Sequence, residues 1–455
     1  MNSLKPFHLV ICGGGASAVL LVHALARHAK ASLDVTIIEG RPAAGLGRAY
    51  STISDVHFLN VRASGMSADA HDSDHLLRWL NDESQTGKEW TSADFPPRKL
   101  YGVYLQSVLQ KAGAAPHLRL RTQNGIARDL ERDGSGWRIA LESGEHIHAD
   151  AVVLATGNEA PAPIRAPDDV ASRVINDPWD REAKARIAPA DDVLLLGTGL
   201  TAVDLIADLV VGGHTGKIVA MSRHALLPHG HHVQPPDPPW LSAPFPNPRH
   251  FMRRLRAELK QSGGKWQPRF DALRAATQSI WQSWPDAQKR RFLRHAKTYW
   301  NIHRHRIPPE TAQRMAKALA DGRLELKSGR LRKLEPGAHG LRVTSEHAGR
   351  QQVIETGWLI NCTEPNPNPA RSPNPLISRL IATGVARPGP LGMGLDVTGQ
   401  SRIVSREDQA QSGLFALGPL TVGRFWEIVA IPDIRVQAEV VARELAEAAM
   451  TPRSS

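Results

Sequence analysis

The sequence predicts an α/β protein built from two Rossmann-like dinucleotide-binding domains with a basic helical insert. A glycine-rich turn between a predicted strand and a predicted helix occurs twice, and an Arg- and Trp-rich stretch follows the second copy. The chain has 455 residues, which suffices for two or three domains. Its 41% hydrophobic and 22% charged residues are typical of a globular protein and exclude a mainly disordered or fibrous one.

The first glycine-rich turn joins an apolar strand at 8–11 to a helix that begins near Ala16. Its glycines let the backbone approach a pyrophosphate closely, and the positive end of the helix dipole stabilises the phosphate charge. A small residue at the third motif position allows the helix to pack against the strand. The turn consists of Gly13, Gly14, Gly15, Ala16, Ser17 and Ala18.

The strand after this helix ends in an acidic residue. Residues 34–39 form the second predicted strand, and its last residue, Glu39, follows Gly13 by 26 residues. A carboxylate at this place accepts hydrogen bonds from a ribose diol, as in the adenosine half of FAD. The first unit is therefore predicted to bind FAD.

The second turn repeats this plan with a different ending. Gly197, Gly199 and Ala202 occupy the three motif positions after a buried strand at 192–196, and Arg223 follows Gly197 by 26 residues. A guanidinium cannot accept hydrogen bonds from a diol, but it can pair with a 2′-phosphate. The second unit is therefore predicted to bind a nicotinamide nucleotide, NAD(P)H. The alternative is that Arg223 is an ordinary surface arginine.

Each unit continues through a small antiparallel meander into a buried strand that ends in a Thr-containing turn. The first of these turns contains Gly157, where the chain is expected to pass close to a cofactor; the second has Glu364 instead, which indicates a less tight passage. The predicted FAD-binding domain is discontinuous and contains both ends of the chain. The predicted limits are 1–165 and 351–455 for the FAD-binding domain, 185–350 for the NAD(P)-binding domain and 249–320 for the helical insert.

The excess positive charge of the chain, +11, is concentrated in one stretch. Residues 249–306 contain 15 basic and 3 acidic residues, together with four tryptophans. This pattern is compatible with a nucleic-acid-binding surface, with solvated faces of helices around a Trp core, or with a basic collar that attracts anionic ligands. Because no nucleic-acid-binding motif accompanies the charge, the second and third interpretations are favoured.

Several classes of protein are excluded by what the sequence contains. Two cysteines, Cys12 and Cys362, cannot form a disulfide framework, so a cytoplasmic location is expected. The apolar runs are too short for a membrane span. Histidines cluster at 229–232 and 303–305, but neither cluster has an acidic or thiol partner nearby in the sequence, so no metal site is predicted.

With these units in place, the chain resembles the two-dinucleotide-binding-domain flavoproteins over nearly its full length. Within that group, the segments 45–51, 58–61, 176–179, 303–306 and 416–427 resemble those of a bacterial FAD/NAD(P)-binding family, whose member of known activity is the FAD-dependent urate hydroxylase of purine catabolism. In many relatives the flavin contact near the C-terminus is Gly-Asp; here Gly418 is followed by Pro419, so the hydrogen bond of that carboxylate must come from another group or be absent.

The resemblance implies an FAD-dependent monooxygenase that consumes NAD(P)H and O2. It implies urate as the small anionic substrate, hydroxylated to 5-hydroxyisourate through a C4a-hydroperoxide of the flavin. For this reaction Arg424 is expected to hold the anion, Trp426 to stack on the purine, and Glu427 to act as base or to orient Arg424. Arg48 and Asn60 are expected at the edge of the flavin ring, or alternatively are ordinary loop residues. The alternative is that Arg424 and Glu427 form a surface pair and that Trp426 belongs to the core.

Two other functions remain compatible with the sequence. One is an NAD(P)H-dependent flavoprotein reductase that inserts no oxygen, although the chain lacks the Cys-x4-Cys pair of disulfide reductases. The other is a non-catalytic flavoprotein that binds nucleotides or, through residues 249–306, nucleic acid. In the second case, binding is expected to weaken steeply with salt.

Overall fold

The computed structural model describes residues 6–451 except 85, 233–236, 238–239 and 241–244. The strands are β1 Phe7–Cys12, β2 Leu33–Glu39, β3 Leu118–Asn124, β4 Ala127–Asp133, β5 Gly136–Leu141, β6 His146–Ala149, β7 Ala151–Leu154, β8 Val174–Ile175, β9 Val193–Leu196, β10 Ile218–Ser222, β11 Leu324–Ser328, β12 Arg330–Gly337, β13 Gly340–His347, β14 Arg350–Thr356, β15 Trp358–Asn361, β16 Arg402–Val404 and β17 Ala410–Ala416. The helices are α1 Ala16–His28, α2 Gly47–Tyr50, α3 His75–Asp82, α4 Arg98–Gly113, α5 Arg181–Ala185, α6 Leu200–Val211, α7 Pro248–Gln261, α8 Trp266–Asp271, α9 Arg274–Ser283, α10 Asp286–His295, α11 Lys297–Arg304, α12 Pro309–Ala320, α13 Pro375–Thr383 and α14 Ile431–Met450.

The first sheet combines strands from both ends of the chain. Its order is β16-β17-β7-β1-β2-β3, and all neighbours are parallel except β16 and β17. Strands β1 and β2 are almost entirely buried, as expected for parallel strands with helices on both faces. Helix α1 packs against both α4 and α14, so the last helix of the chain completes the core of the first unit.

The second sheet is a smaller version of the first. Its five strands are parallel in the order β11-β10-β9-β15-β8, and α6 and α12 pack together on it. Each unit also carries a three-stranded antiparallel meander, β4-β5-β6 in the first and β12-β13-β14 in the second. The α/β fold with two Rossmann-type domains that the sequence predicts is therefore confirmed.

Helices α7 to α11 form a separate layer of packing. Its core is aromatic and includes Phe251, Trp281, Trp284 and Trp300, all buried. The basic residues of α7 and α10 lie mostly on the solvent side, as Arg253 and Arg290 illustrate. The structure thus agrees with solvated helical faces around a Trp core. Within the described residues, no helix combines the length and apolar character needed to cross a lipid bilayer.

Candidate functional site

The first glycine-rich turn can be built only with glycine at its first position. Gly13 has a φ of 105°, and a Cβ placed there would lie 2.5 Å from the carbonyl oxygen of Ala155. Gly15 occupies the N-cap of α1 without a side chain, and no acidic residue follows in the first turn of the helix. The first amide groups of α1 are thereby left to an anionic ligand.

The second turn reproduces this geometry. Gly197 has a φ of 125°, and a Cβ there would lie 2.3 Å from the carbonyl oxygen of Cys362. Gly199 caps α6 with φ −81° and ψ −167°, against −79° and −168° at Gly15. Ala202, like Ala18, is completely buried where the helix faces the sheet. The small third position therefore serves helix packing in both units.

One large cavity adjoins the first turn and the start of α6, whereas Gly197, Gly199 and Ala202 of the second turn do not line it. Its volume is about 1350 Å³, which exceeds the ~300–1,000 Å³ typical of drug-sized ligands and suits a dinucleotide. Gly13, Gly15 and Ser17 line one part of it, and Leu200 and Thr201 at the start of α6 line another. The cavity therefore lies where the two units meet.

Glu39 lies at one end of the cavity with its carboxylate held by backbone amides. Gly14 N donates to Oε2 over 2.8 Å and Arg41 N donates to Oε1 over 2.9 Å. Gly157 and Thr156 also line the cavity, and the buried Oγ1 of Thr156 has no hydrogen-bond partner in the described part of the chain. An acidic acceptor, free helix amides and an unused hydroxyl fit a ligand with a ribose and a pyrophosphate.

Gly418 joins the C-terminal part of the chain to the first turn. Its φ is 72°, a Cβ there would lie 2.7 Å from Ser17 Oγ, and its amide donates to Gln437 Oε1 over 2.8 Å. The next residue, Pro419, lines the cavity, as does Ile431 at the N-terminus of α14. The positive end of α14 is thus directed to the cavity, where Pro419 offers no carboxylate.

Three further residues predicted to contact a cofactor lie in different surroundings. Arg48 lines the cavity and lies 3.4 Å from the Asp177 carboxylate, with its own side chain largely exposed. Asn60 does not line the cavity; its carbonyl oxygen lies 3.0 Å from His231 Nε2. Arg223 follows β10, does not line the cavity, is exposed, and has no hydrogen bond or ion pair within the described residues.

The three residues predicted to hold the substrate are not brought together at the cavity, which none of them lines. Trp426 is buried and stacks on Trp281, with ring centroids 4.6 Å apart. Glu427 faces the insert, where its Oε2 accepts from Arg304 Nε over 2.9 Å. Arg424 is exposed and does not pair with Glu427. The expected Arg424–Glu427 pair is therefore wrong, because a cation from α11 neutralises the carboxylate instead.

Glu427 is a buried carboxylate on a residue with a left-handed backbone conformation. It is 8% exposed, has a φ of 65°, and accepts a second hydrogen bond from Trp300 Nε1. Burial alone would raise the pKa of its carboxyl group, but the charges of Arg304 and His305 hold the pKa below its usual value. A carboxylate that is paired with a cation and whose pKa is lowered is suited to fixing the insert rather than to accepting a proton.

The basic insert and the histidine clusters lie outside the cavity. None of the described residues between 249 and 306 lines it, so the structure does not support a basic collar around this cavity. His229 and His303 lie with their rings 4.7 Å apart, yet the described residues contain no group of three side chains arranged to hold a metal ion.

Sequence reasoning missed a polar contact between the two units. Arg98 of α4 pairs with Asp204 of α6, and His57 of the first unit lies 3.0 Å from Asp208 of the same helix. All four residues line the cavity. The available signal was the pair of aspartates one turn apart in α6, a helix that is otherwise almost entirely apolar.

Comparison with known proteins agrees with this geometry. Residues 10–159 match a family model described as FAD-NAD(P)-binding. The chain is similar to the ornithine N-hydroxylase of Kutzneria sp. 744, described with reduced FAD, NADP+ and L-ornithine, at 14% identity and a TM-score of 0.66 over 97% of this chain and 99% of that one. A search of curated protein sequences found no match.

Two further solved structures have the same fold. The L-lysine 6-monooxygenase of Pseudomonas syringae is 15% identical with a TM-score of 0.63, and the bacillithiol disulfide reductase of Bacillus cereus is 12% identical with a TM-score of 0.58. Each comparison covers 97% of this chain and 99% of the other chain. At these identities the similarity establishes the fold, which is that of flavin-dependent monooxygenases and reductases with FAD/NAD(P)-binding Rossmann-type domains.

Proposed function

We propose that this chain is a flavin-dependent monooxygenase that binds FAD in the first unit and NADPH in the second, and uses O2 to hydroxylate a small substrate. The observation that carries the proposal is the large cavity that both units line, the first through its glycine-rich turn and the second through Leu200 and Thr201 at the start of α6. Two nucleotides bound with their phosphates at α1 and α6 have their other ends directed to a shared space. The similarity to the ornithine and lysine monooxygenases along nearly the whole chain supports this function.

The residues present fit FAD in the first unit. Glu39 would accept hydrogen bonds from the ribose of the adenosine half, and the amides of α1 after Gly15 would bind the pyrophosphate. Thr156 Oγ1 would satisfy its hydrogen-bonding capacity on the ligand. Ile431 at the start of α14 places positive helix-dipole charge beside the cavity, in place of the carboxylate that Pro419 lacks.

NADPH is favoured over NADH as the reductant. The exposed guanidinium of Arg223 would pair with the 2′-phosphate, which NADH lacks. Bound FAD would supply the redox chemistry, accepting a hydride and activating oxygen. The role of the chain is then to bind and orient the two nucleotides, and to exclude water with apolar wall residues such as Val56 and Ile434.

A disulfide reductase is a weaker candidate, although the bacillithiol disulfide reductase has the same fold. Cys12 and Cys362 are both buried, and they belong to the hydrophobic cores of different units. Burial raises the pKa of the Cys12 thiol to about 12, so it is protonated at neutral pH. Neither thiol has the accessibility or the neighbour that thiol–disulfide exchange requires.

Two classes of substrate are candidates, amines and urate. The ornithine and lysine monooxygenases favour a primary amine that is hydroxylated on nitrogen. Urate is the substrate of the family member that the sequence resembles, but Arg424, Trp426 and Glu427 do not line the cavity. We therefore rank an amine first and keep urate as the second candidate.

The test is a measurement of coupled turnover with the purified protein. We expect bound FAD, and NADPH oxidation accompanied by O2 consumption that increases with one of L-ornithine, L-lysine, cadaverine or urate. Hydroxylated product should form in proportion to the NADPH oxidised. If NADPH oxidation yields only hydrogen peroxide with every compound, hydroxylation of these substrates is contradicted. A protein that does not bind FAD contradicts the proposal altogether.

A further inference from the structure

Two side chains of the first unit that line the cavity, Arg98 and His57, belong to neighbouring paired segments. The segment around Phe58 pairs antiparallel with the segment around Pro97, and Arg98 N donates to the His57 carbonyl over 2.7 Å. Arg98 Nε donates to the Phe58 carbonyl over 3.0 Å, and Thr52 Oγ1 lies 2.8 Å from His57 Nδ1. Both side chains are therefore oriented by the first unit itself.

Two carboxylates of the second unit face this pair. Asp204 and Asp208 lie four residues apart in α6, so they are neighbours on one face of the helix. Asp204 is only 7% exposed. The other residues of α6 apart from Thr201 are apolar, so these aspartates are the only charged groups that the helix presents.

Each of the two aspartates lies next to one side chain of the first unit. Arg98 contacts Asp204 with both terminal nitrogens, at 2.6 and 3.2 Å, in the bidentate arrangement that gives strong and directional ion pairs. His57 Nε2 lies 3.0 Å from Asp208 Oδ2, and Ser54 Oγ donates to Asp208 Oδ1 over 2.6 Å.

Asp208 remains ionised in this environment. Burial alone would raise the pKa of its carboxyl group, but the contacts with His57 and Ser54, together with the charge of Lys184, hold the pKa below its usual value. Asp208 therefore presents a negative charge to the first unit at neutral pH. The charge of the buried Asp204 would be costly without a partner, so this helix depends on Arg98 of the first unit.

We infer that Asp204 and Asp208 are positioning residues that clamp α6 to the first unit and so fix where the second nucleotide lies relative to the first. The inference rests on the proposed function, since it assumes that the two nucleotides react in the shared cavity. Its structural basis is that the clamp residues line this cavity together with Leu200 and Thr201, at the end of α6 that follows the second glycine-rich turn. A shift of α6 therefore moves the nucleotide-binding turn as well.

The experiment compares Asp204→Asn and Asp208→Asn, separately and together, with the unsubstituted holoprotein. We expect unchanged FAD content and unchanged reduction by dithionite, but slower flavin reduction by saturating NADPH, by about 10- to 100-fold in the double variant. The dissociation constant for NADPH should change much less than the rate. Amide hydrogen exchange in α6 should become faster, a readout that requires no turnover.

Three controls separate positioning from a general loss of structure. Glu325→Gln removes an ion pair with Lys217 inside the second unit and should leave flavin reduction unchanged. Asp204→Glu keeps the charge and should restore part of the rate. Ser54→Ala removes one hydrogen bond to Asp208 and should give a smaller effect of the same kind if a clamp variant does not fold.

Unchanged hydrogen exchange in α6 and unchanged flavin reduction in the double variant would overturn the clamp. Equal slowing in Glu325→Gln would also overturn it, because the effect would then not depend on the contact between the units. If the unsubstituted protein binds no FAD, the proposed function fails instead. Hydrogen exchange in α6 still decides whether the two aspartates hold the helix.

Discussion

The two glycine-rich turns have nearly the same backbone, but their surroundings differ. The first glycine of each turn lies against a backbone carbonyl oxygen at the end of the strand that follows the meander. Gly13 and Gly197 therefore tolerate no Cβ. The residue 26 positions later is acidic in the first unit and basic in the second. The strand–turn–helix geometry therefore fixes the glycines, whereas side chains at the rim are free to select different ligands.

The turns that close the two units differ as well. Gly157 lines the cavity with a φ of 78°, and a Cβ there would meet open space. Glu364, at the corresponding place, accepts from Asn301 Nδ2 over 2.9 Å and pairs with Lys297. The second closing turn therefore holds α11 of the insert, while the first remains open to a ligand.

The largest effects are expected from adding a methyl group to the equivalent glycines. Gly13→Ala should abolish FAD binding, because the Cβ would lie 2.5 Å from a backbone carbonyl oxygen that cannot move independently. Gly197→Ala should leave FAD bound but remove reduction by NADPH. Absorbance spectra and stopped-flow reduction measure the two properties. Gly144→Ala is the control, since its φ is 87° but its Cβ would meet open space.

This pair of variants also tests whether the two turns bind different nucleotides. If Gly13→Ala and Gly197→Ala have the same effect on FAD content, the two turns do not serve different nucleotides. If both proteins lose folding cooperativity in urea to the same extent, the glycines are needed for the fold alone. Either result would require a different assignment of the two units.

The next largest effect is expected at Glu39. Glu39→Gln removes the charge that accepts hydrogen bonds from the Gly14 and Arg41 amides and, as proposed, from the ribose. Hydrogen bonds to a charged group contribute about 1.5–3 kcal/mol, so FAD affinity should fall by about 10- to 100-fold. Titration of the apoprotein with FAD measures this. Glu142→Gln, which removes an exposed pair with Arg128, should not change the affinity.

A smaller and more selective effect is expected at Arg223. Arg223→Ala should raise the KM for NADPH by about 5- to 10-fold, because an exposed ion pair contributes roughly 1 kcal/mol. The KM for NADH should not change, since NADH has no 2′-phosphate. Steady-state kinetics with both nucleotides make the comparison, and Arg350→Ala provides an exposed arginine of the same unit as the control. Equal changes for NADPH and NADH would contradict a 2′-phosphate contact.

The smallest effect is expected in the acid stability of the first unit. Burial opposes the ionisation of Asp69, but hydrogen bonds from the His71 amide and His23, together with the charge of Arg27, lower its pKa from 3.8 to about 2. Because the folded-state pKa is the lower one, Asp69 stabilises the fold above pH 4, and this contribution is lost as the pH falls towards 2.

Urea unfolding as a function of pH tests this contribution. Asp69→Asn should lower the stability at pH 6 and flatten its decline between pH 4 and pH 2. The exposed Asp82→Asn should leave that profile unchanged. An unchanged slope in Asp69→Asn would show that other carboxyl groups dominate the acid response.

The sequence was sufficient for the turns but not for the substrate residues. Gly13 and Gly197 are recognisable because a short-range steric demand fixes their spacing to strands and helices. Trp426 and Glu427 are not, because a loop side chain can face either the cavity or the insert. Trp281 and Arg304 decide the direction, and both lie more than 100 residues away along the chain.

The clamp was missed for a related reason. Asp204 and Asp208 indicate a polar strip on α6, but their partners are fixed only by the pairing of the segments around Phe58 and Pro97. No local pattern connects these segments with α6. Contacts between units depend on how the units are arranged in space, and periodicity within one helix contains no information on that arrangement.

The position of β17 beside β7 has a consequence for biosynthesis. As the polypeptide leaves the ribosome, the second unit and the insert are made after β7 and before β17. Until translation is nearly finished, β7 keeps an open edge and α1 lacks the cover of α14. Such an edge is prone to pairing with other nascent chains, so chaperone demand should be concentrated on this long interval.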